Sequence, residues 1–297
     1  MLTLQAMFTV REVKTRADLM KFIKFPDELY KDCPQYVPAL HSDQVHSLTK
    51  CASLKYCKRK MWLVLDGRNV AGRICAMINP RYNERYSTKR VRFGWFDCIN
   101  NLEVARLLIS TAEEWARGEG MTEIHGPLYY NTLGKQGMLV EGYDNIPPFN
   151  CIYNFPYYND FMKALGFEKE CDWVQFKMVA NHGVPDKARR VAKLVEERYN
   201  LHFGSLDELK KDKQLVHKFF RVYSDSFSQT VYNFIPFTDE EIEEEAKVSM
   251  RFVSDKASCV LSTSTMRLLL SASLSRVSLR RCRRPRDICS RSAGTIC

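Results

Sequence analysis

The sequence lacks several features that would assign it to a protein class at once. Its eleven cysteines form no Cys-x-x-Cys pair, which argues against the common structural zinc sites. No apolar run reaches the roughly 18 residues that a membrane-spanning helix requires. The N-terminus has no basic start followed by a long apolar block, so it does not resemble a secretory signal. We therefore expect a cytoplasmic protein without a metal, whose cysteines are reduced and mostly buried thiols.

The segment from Ser262 to Cys297 lacks aromatic residues, lysine and glutamate. Its eight arginines and one aspartate account for most of the net charge of +10, so the rest of the chain is nearly balanced and no nucleic-acid partner is expected. Serine, arginine and leucine, which have the most degenerate codons, dominate it. We interpret 262–297 as a frameshift-like basic tail without order. A basic amphipathic anchor or an RNA-binding arm remain as alternatives.

The clearest pattern in the body is a strand–helix–strand unit from Val91 to Pro127. An aromatic-rich strand at Val91–Phe96 precedes Asn100, which stands three residues before Glu103, the spacing of a helix N-cap with a returning acid. An apolar stripe at helical spacing follows, and Thr122–His125 reads as the next strand. The N-terminus of such a helix tends to bind anions. A purely structural core unit remains the alternative.

Further elements flank this unit on both sides. The pattern predicts a first strand, a helix opened by Thr15 and ended by Pro26, and a hairpin whose turn is Asp66-Gly67. A long irregular segment follows at 126–158, and such loops are commonly functional in compact domains. A short helix and a further strand at Glu170–Val179 complete the unit.

The second half of the chain begins the same pattern again. Residues 186–261 predict a strand, two helices and a strand, as at the start of the chain. We therefore expect a first domain at 1–180, a linker at 181–185, the opening half of a second copy at 186–261, and the tail at 262–297.

The order of elements and several motifs resemble the GNAT acyltransferase superfamily, and in detail a YghO-like bacterial branch of it. The residues that carry the resemblance are Phe96–Asn100, Leu139-Val140-Glu141-Gly142-Tyr143-Asp144, Asn154-Phe155-Pro156-Tyr157-Tyr158 and Leu165-Gly166-Phe167. The resemblance implies an α/β fold with a mixed central sheet flanked by helices. It also implies acetyl-CoA or another acyl-CoA as the donor, and a small-molecule or peptide amine as the acceptor.

The resemblance places the cofactor-binding turn at Cys98, Ile99, Asn100 and Asn101. GNAT enzymes usually carry glycines there, which let the pyrophosphate approach the backbone; this turn has none. The tyrosine that many GNAT enzymes place before Leu-Gly-Phe is also replaced, by Phe161 or Met162. The sequence therefore departs from the family pattern at both signature elements.

The remaining candidates lie in or beside the long irregular segment. We consider Glu141, Asp144 and Tyr158 as catalytic residues, because an amine must lose a proton to attack a thioester. The substrate-binding candidates are His125, Tyr129, Tyr130 and Tyr157. The structural alternative makes the carboxylates turn caps and the aromatic side chains packing residues.

The function that this pattern favours is an acyl-CoA-dependent N-acyltransferase. Three other functions remain open: a non-catalytic acyl or small-molecule binding protein on the same scaffold, a tandem-GNAT aminoacyl transferase, and a partner-binding module that uses the aromatic loop. The sequence does not fix the oligomeric state.

Overall fold

A computed structural model describes residues 8–148, 151–175, 183–204, 213–263 and 268–275. The chain divides into two compact units, and the change from the first to the second falls between Glu170 and Cys171. This change precedes the predicted linker at 181–185, of which 181 and 182 lie outside the described residues. Among the helices of the described ranges, none combines the length and apolarity needed to cross a bilayer.

The first unit is a mixed sheet with helices on both faces, as the resemblance predicted. Its elements in chain order are β1 (Phe8–Glu12), α1 (Arg16–Leu29), α2 (His41–Thr49), a short 3-10 helix (Ala52–Lys55), β2 (Lys58–Asp66), β3 (Asn69–Ile78), α3 (Pro80–Tyr86), β4 (Arg90–Cys98), α4 (Leu102–Gly118), β5 (Glu123–His125) and α5 (Tyr157–Ala164). The strand order is β1-β2-β3-β4-β5, and only the β4–β5 pair is parallel.

Each face of this sheet packs against its own hydrophobic core. The core on the α4 and α5 side contains Ile74, Phe93, Leu108 and Tyr158. The core on the opposite side contains Phe22 of α1 and Leu48 of α2, together with Leu63 and Met77 of the sheet. Helix α4 buries one apolar stripe of valine, alanine, leucine and isoleucine, which is the stripe predicted from the sequence.

Strand β4 carries a bulge in the middle of its length. Gly94 pairs with Cys75 and Asp97 pairs with Arg73, so that two residues of β4 oppose one of β3. Trp95, one of the two, has a φ of 46°, a left-handed conformation that is uncommon for a bulky side chain. Bulges are frequent beside functional sites, because they re-aim the side chains that follow. Here the residues re-aimed are Phe96, Asp97 and Cys98.

The second unit repeats the opening order of the first. Its elements are α6 (Asp186–Tyr199), β6 (Leu201–Gly204), α7 (Lys213–Thr230), α8 (Asp239–Phe252), β7 (Val253–Thr263) and β8 (Leu268–Ser275), with β6, β7 and β8 in one antiparallel sheet. Among the described residues, α7 and α8 lie between β6 and β7, as α1 and α2 lie between β1 and β2. This repetition supports the proposal of a partial second copy.

Aromatic rings form the core of the second unit. Tyr223 and Phe227 of α7 contact Phe234 and Phe237 of the following segment. The predicted cap of α8 is confirmed: the N–H of Glu241 donates to Thr238 Oγ1, and the Glu241 carboxylate accepts from the N–H of Thr238. Within the range 262–297, expected to be without order, Leu268–Ser275 instead forms strand β8.

Several local predictions differ from the structure. The N-cap of α4 is Asn101 rather than Asn100, because the Asn101 side chain accepts from the N–H of Glu103. Helix α1 continues through Pro26 to Leu29. Helix α3 was not predicted; Asn79 caps it and Pro80 occupies its first position. The described part of the strand predicted at 170–179 is irregular through Gln175.

Candidate functional site

The candidate site lies at the carboxyl end of β4, beyond the point where its parallel partner ends. β4 pairs with β5 only from Arg90 to Arg92. One further bond joins the N–H of Leu128 to the carbonyl of Phe93 at 2.7 Å. At Gly94 the backbones approach so closely that a Cβ atom would meet the Leu128 carbonyl. Among the described residues, the side chains of Tyr157 and Tyr158 contact the last residue of β4, Cys98, at that edge.

A buried ion pair anchors this end of β4. Arg73 of β3 and Asp97 of β4 are register partners, only 7% and 8% exposed. The Asp97 Oδ2 atom accepts from Arg73 Nε and lies 2.7 Å from Arg73 Nη2, while Arg73 Nη1 donates to the carbonyl of Phe22 at 2.8 Å. Both charges are therefore compensated within the protein, as the burial of charges requires.

Two tyrosines extend this pair into a polar network that we call the Asp97 cluster (Tyr30, Arg73, Asp97 and Tyr158). The Tyr30 hydroxyl donates to Asp97 Oδ1 at 3.0 Å, and it lies 3.3 Å from the Tyr158 hydroxyl. Burial and the Asp97 charge hold the pKa of Tyr30 well above its usual value, and burial does the same for the pKa of Tyr158. Both hydroxyls therefore stay protonated.

The structure brings three sequence-predicted site residues together at the end of β4. The backbone N–H of Cys98 donates to the Tyr158 hydroxyl at 2.8 Å, and the Cys98 carbonyl accepts from Tyr157 at 2.7 Å and from Tyr158 at 3.1 Å. Burial raises the pKa of the Cys98 thiol, so this cysteine is a buried core thiol rather than a nucleophile. Tyr158 itself is 1% exposed.

Tyr129 and Tyr130 lie on the α1 and α2 side of β4. The Tyr129 ring stacks on Trp95, with centroids 3.6 Å apart, and Tyr130 lies at an angle to the same indole at 5.6 Å. Burial raises the pKa of Tyr129, and the charges of Arg73 and Asp97 have smaller, opposite effects on it. Tyr36, which stacks on Tyr30 at 4.5 Å, is subject to the same two charges.

Lys135 is a functional candidate that sequence reasoning missed. It lies on the irregular segment after β5, half-buried, and burial lowers the pKa of its ammonium group. Cys151 and Asp97 have smaller effects that raise the pKa of Lys135, and Arg73 lowers it. A lowered pKa favours the neutral form of an amine relative to an exposed lysine, and the neutral form can accept a proton from a substrate.

His125 lies apart from these residues, at the end of β5. Its Nε2 atom contacts a carboxylate oxygen of Glu170, and its ring lies 6.2 Å from that of Tyr82. Burial lowers the pKa of His125 from 6.5 to about 4 despite the opposing effect of Glu170. The imidazole is therefore neutral at pH 7 and donates to Glu170 from Nε2.

The predicted cofactor-binding turn does not fit a pyrophosphate held by backbone amides. The N–H of Ile99 donates to the Ala71 carbonyl, and that of Asn101 to the Ile99 carbonyl at 2.6 Å. The N–H of Cys98 is held by Tyr158, as described above. The Asn101 side chain also accepts a hydrogen bond from the N–H of Glu103. The Glu103 carboxylate places a negative charge on the first turn of α4. Asn100 is exposed.

Glu141 and Asp144 are both exposed, on a turn around Gly142. The turn is attached to α5, because Tyr143 between them donates to the Leu139 carbonyl at 2.8 Å and bonds Asn159. Asn154 fixes the same turn from its other side through the backbone of Leu139. The two carboxylates therefore reach solvent from a fixed loop.

Arg73, Asp97 and Tyr30 also escaped the sequence analysis. The contacts Arg73–Asp97, Tyr30–Asp97 and Tyr30–Tyr158 join residues that are 24, 67 and 128 positions apart along the chain. No local spacing in the sequence therefore reveals them. A signal existed nonetheless: Arg73 interrupts the apolar strand β3, and Asp97 ends the aromatic run of β4. A charged residue inside a buried strand is rarely tolerated without a partner.

Two curated proteins are similar to this chain in sequence. Protein YghO of Escherichia coli (strain K12) is 27% identical over 234 residues, which cover 78% of this chain and 59% of that protein. Bacterial ceramide synthase of Caulobacter vibrioides is 27% identical over 254 residues, which cover 84% of this chain and 64% of that protein. The chain thus spans less than two thirds of either relative. No family model matches it.

Solved structures with a similar arrangement are acetyltransferases of low sequence identity. A tandem GNAT protein from the clavulanic acid biosynthesis pathway aligns with a TM-score of 0.49 and 12% identity over 92% of this chain and 75% of its own. A predicted acetyltransferase with acetyl-CoA from Clostridium acetobutylicum aligns with a TM-score of 0.38 and 9% identity, over 59% of this chain and 99% of its own.

The first unit itself shows the strand order, the parallel β4–β5 pair and the bulged β4. These features do not depend on the alignments with solved structures. They agree with the fold that the motifs predicted, and the sequence likeness agrees with the predicted branch. The first unit therefore has the mixed α/β fold that the resemblance predicted, and the chain is similar in sequence to the YghO protein.

Proposed function

We propose that this protein is an N-acyltransferase that transfers an acyl group from an acyl-CoA thioester to a primary amine. The observation that carries the proposal is the environment of Lys135. Burial lowers the pKa of this half-buried amine, and the charges of Cys151, Asp97 and Arg73 also act on it. The sequence likeness to a ceramide synthase supports the same chemistry, because a ceramide is an N-acylated amino alcohol.

The proton of the attacking amine determines the role of Lys135. An amine attacks a thioester carbonyl only as its neutral form, so a base must remove a proton as the carbon–nitrogen bond forms. We propose that Lys135 accepts that proton in its neutral form, which its lowered pKa favours relative to an exposed lysine. The carbon–sulfur bond then breaks, and the lysine ammonium returns the proton to the departing thiolate. The reaction thus needs no other proton source.

The Asp97 cluster acts as a support for this site rather than as the base. Asp97 already accepts from Arg73 and Tyr30, and its charge favours the protonated form of Lys135 during the reaction. Glu141, Asp144 and Tyr158 stay as proposed catalytic residues from the sequence, and Tyr129, Tyr130, Tyr157 and His125 as proposed substrate contacts. The exposed carboxylates of Glu141 and Asp144 are the alternative proton acceptors.

The name of one relative adds a further class of acceptor to the proposal. Since one relative is named a ceramide synthase, we include a long-chain amino alcohol among the acceptors, beside the small-molecule or peptide amine expected from the sequence. Because the turn at Cys98–Asn101 does not cradle a pyrophosphate, we assign the phosphates of the donor to no residue of that turn.

The test is amide formation by the purified full chain, followed by mass spectrometry. Acetyl-CoA or palmitoyl-CoA is supplied with glucosamine, a dipeptide or a long-chain amino alcohol. We expect an N-acyl product in at least one combination, and Lys135→Met should form it at least about 100-fold more slowly. The matched control, Lys163→Met, removes an exposed lysine on α5 and should leave the rate unchanged.

The absence of an amide in every combination would contradict the proposal. Product formed at equal rates by wild type and Lys135→Met would keep the activity but reject Lys135 as the base. In that case Glu141→Gln and Asp144→Asn are the next variants to compare, because they test the exposed alternatives.

A further inference from the structure

Two arginines lie in one row across the sheet, on the side of α1 and α2. Arg59 of β2 pairs with Met77 of β3, and Met77 pairs with Arg92 of β4. Adjacent strands are about 4.8 Å apart, so the backbones of the two arginines are about 10 Å apart. Met77 belongs to the hydrophobic core on that side of the sheet. Both arginine side chains are therefore long enough for their guanidinium groups to contact one small group between them.

Arg92 is a buried cation whose hydrogen-bonding capacity is only partly used. Its side chain is 2% exposed. Nη1 donates to the carbonyls of Tyr129 at 3.2 Å and Tyr130 at 3.3 Å. Within the described ranges, Nε and Nη2 of Arg92 are buried and have no hydrogen-bond partner, and the same holds for Nε of Arg59. Three guanidinium donors of this row are thus unsatisfied.

The surroundings of Arg92 are aromatic rather than acidic. Its guanidinium lies over the Tyr82 ring at 4.3 Å from the centroid. The groups that act most strongly on its charge besides burial are Tyr82, Cys57, Tyr56 and Tyr86. The two other arginines of this part of the sheet differ: Arg73 has Asp97, and Arg90 of β4 has Glu123 and Glu170.

A buried guanidinium without an anion is costly, because its solvation by water is lost and no opposite charge replaces it. Native proteins leave few such donors unsatisfied, and each requires an explanation such as a bound ion. Arginine forks match the oxygens of carboxylate and phosphate groups. The unsatisfied donors of Arg59 and Arg92 have the chemistry that such an oxyanion needs.

We propose that Arg92 and Arg59 form a binding site for an oxyanion, a phosphate or a carboxylate group, on the α1 and α2 side of the sheet. This site goes beyond the proposed acyl transfer and does not depend on it. It is coupled to Tyr129, because Arg92 holds the Tyr129 carbonyl while the Tyr129 ring stacks on Trp95. Binding should therefore change the fluorescence of Trp95.

The test measures the melting temperature and tryptophan fluorescence of the full chain at constant ionic strength. Sodium phosphate and sodium acetate are each titrated against sodium chloride. We expect a saturable rise in melting temperature and a saturable fluorescence change with at least one of the two oxyanions. A response to phosphate alone identifies a phosphate-bearing ligand, and a response to acetate identifies a carboxylate.

Three variants decide whether the response belongs to this site. Arg92→Met should weaken the affinity for the oxyanion about tenfold or more, since it removes charged hydrogen bonds. Arg59→Met should weaken it as well, and it carries the test if Arg92→Met does not fold. Arg106→Met, which removes an exposed arginine of α4, is the matched control and should respond as wild type does.

Two results would overturn the proposal. One is the absence of a saturable response to both oxyanions, or a response that sodium chloride reproduces. The other is an oxyanion affinity in Arg92→Met and Arg59→Met equal to that of wild type.

Discussion

The hydroxyl of Tyr158 satisfies the backbone of Cys98, accepting from its N–H at 2.8 Å and lying 3.1 Å from its carbonyl oxygen. These backbone groups point away from β3, because the next residue, Ile99, bonds back to Ala71 across the sheet. A tyrosine of α5 therefore occupies the edge of β4 where a neighbouring strand would otherwise pair. This contact fixes α5 to the end of the strand that carries Asp97.

Replacing Tyr158 by phenylalanine should destabilise the first unit by about 1–3 kcal/mol, because it leaves the buried N–H of Cys98 without its acceptor. Tyr157→Phe is the matched control. It removes one of two donors to the Cys98 carbonyl and should cost about 1 kcal/mol. Urea unfolding measures both, and equal losses would show that the N–H of Cys98 finds another partner.

Breaking the buried ion pair should be more harmful than removing it altogether. Arg73→Met leaves the Asp97 carboxylate buried without its cation, and we expect a loss of about 3–5 kcal/mol. The double variant Arg73→Met, Asp97→Leu removes both charges and should recover a large part of that loss. If the double variant is as unstable as the sum of the two single variants, the two residues are not coupled.

The close approach of backbones at Gly94 excludes a side chain there. Gly94→Ala places its Cβ atom against the carbonyl of Leu128, and we expect a loss of about 2 kcal/mol from overpacking. Gly118→Ala is the control, because Gly118 ends α4 with open space around it and alanine should add about 0.5 kcal/mol of stability. Similar effects of both variants would contradict the packing at Gly94.

His125 should make the stability of the protein depend on pH below 7. Its pKa is about 4 in the folded chain, against 6.5 when exposed, so only the unfolded chain gains a proton between these values. With respect to His125, the free energy of unfolding is therefore highest above pH 6.5. It falls as the pH falls from 6.5 to 4, by at most about 3 kcal/mol. Urea unfolding from pH 7.5 to 4 should show this slope in wild type and a flatter one in His125→Asn. An unchanged slope in the variant would show that other groups cause it.

The sequence predicted the elements that short-range patterns encode. The β2–β3 hairpin, strand β4 and helix α4 are confirmed, because alternation and helical spacing are local signals. The turn of the hairpin is Gly67-Arg68 rather than the predicted Asp66-Gly67, because Asp66 still pairs with Asn69. The cap at Asn101 was missed by one residue, since both asparagines are chemically suitable and only the backbone decides which one caps. Helix α3 was missed because polar residues concealed a cap at Asn79 followed by Pro80.

The candidate site was harder to predict because its members come from distant parts of the chain. Tyr157, Tyr158 and Cys98 were considered for substrate binding, catalysis and cofactor binding, respectively, whereas both tyrosines bond the backbone of Cys98. The Arg73–Asp97 pair depends on strand register, and the bulge at Trp95 sets that register. Lys135 lies in an irregular segment, where no periodicity indicates which side chain is buried.

The central claim is that Lys135 removes the proton of the acceptor amine, and the pH dependence of amide formation tests it most directly. At saturating acyl-CoA and acceptor, the wild-type rate should rise with pH as Lys135 loses its proton, with an apparent pKa below the usual 10.5 of lysine. Lys135→Met should be about 100-fold slower or more and should lose that rise. A wild-type profile that Lys135→Met reproduces at the same rate would contradict the account.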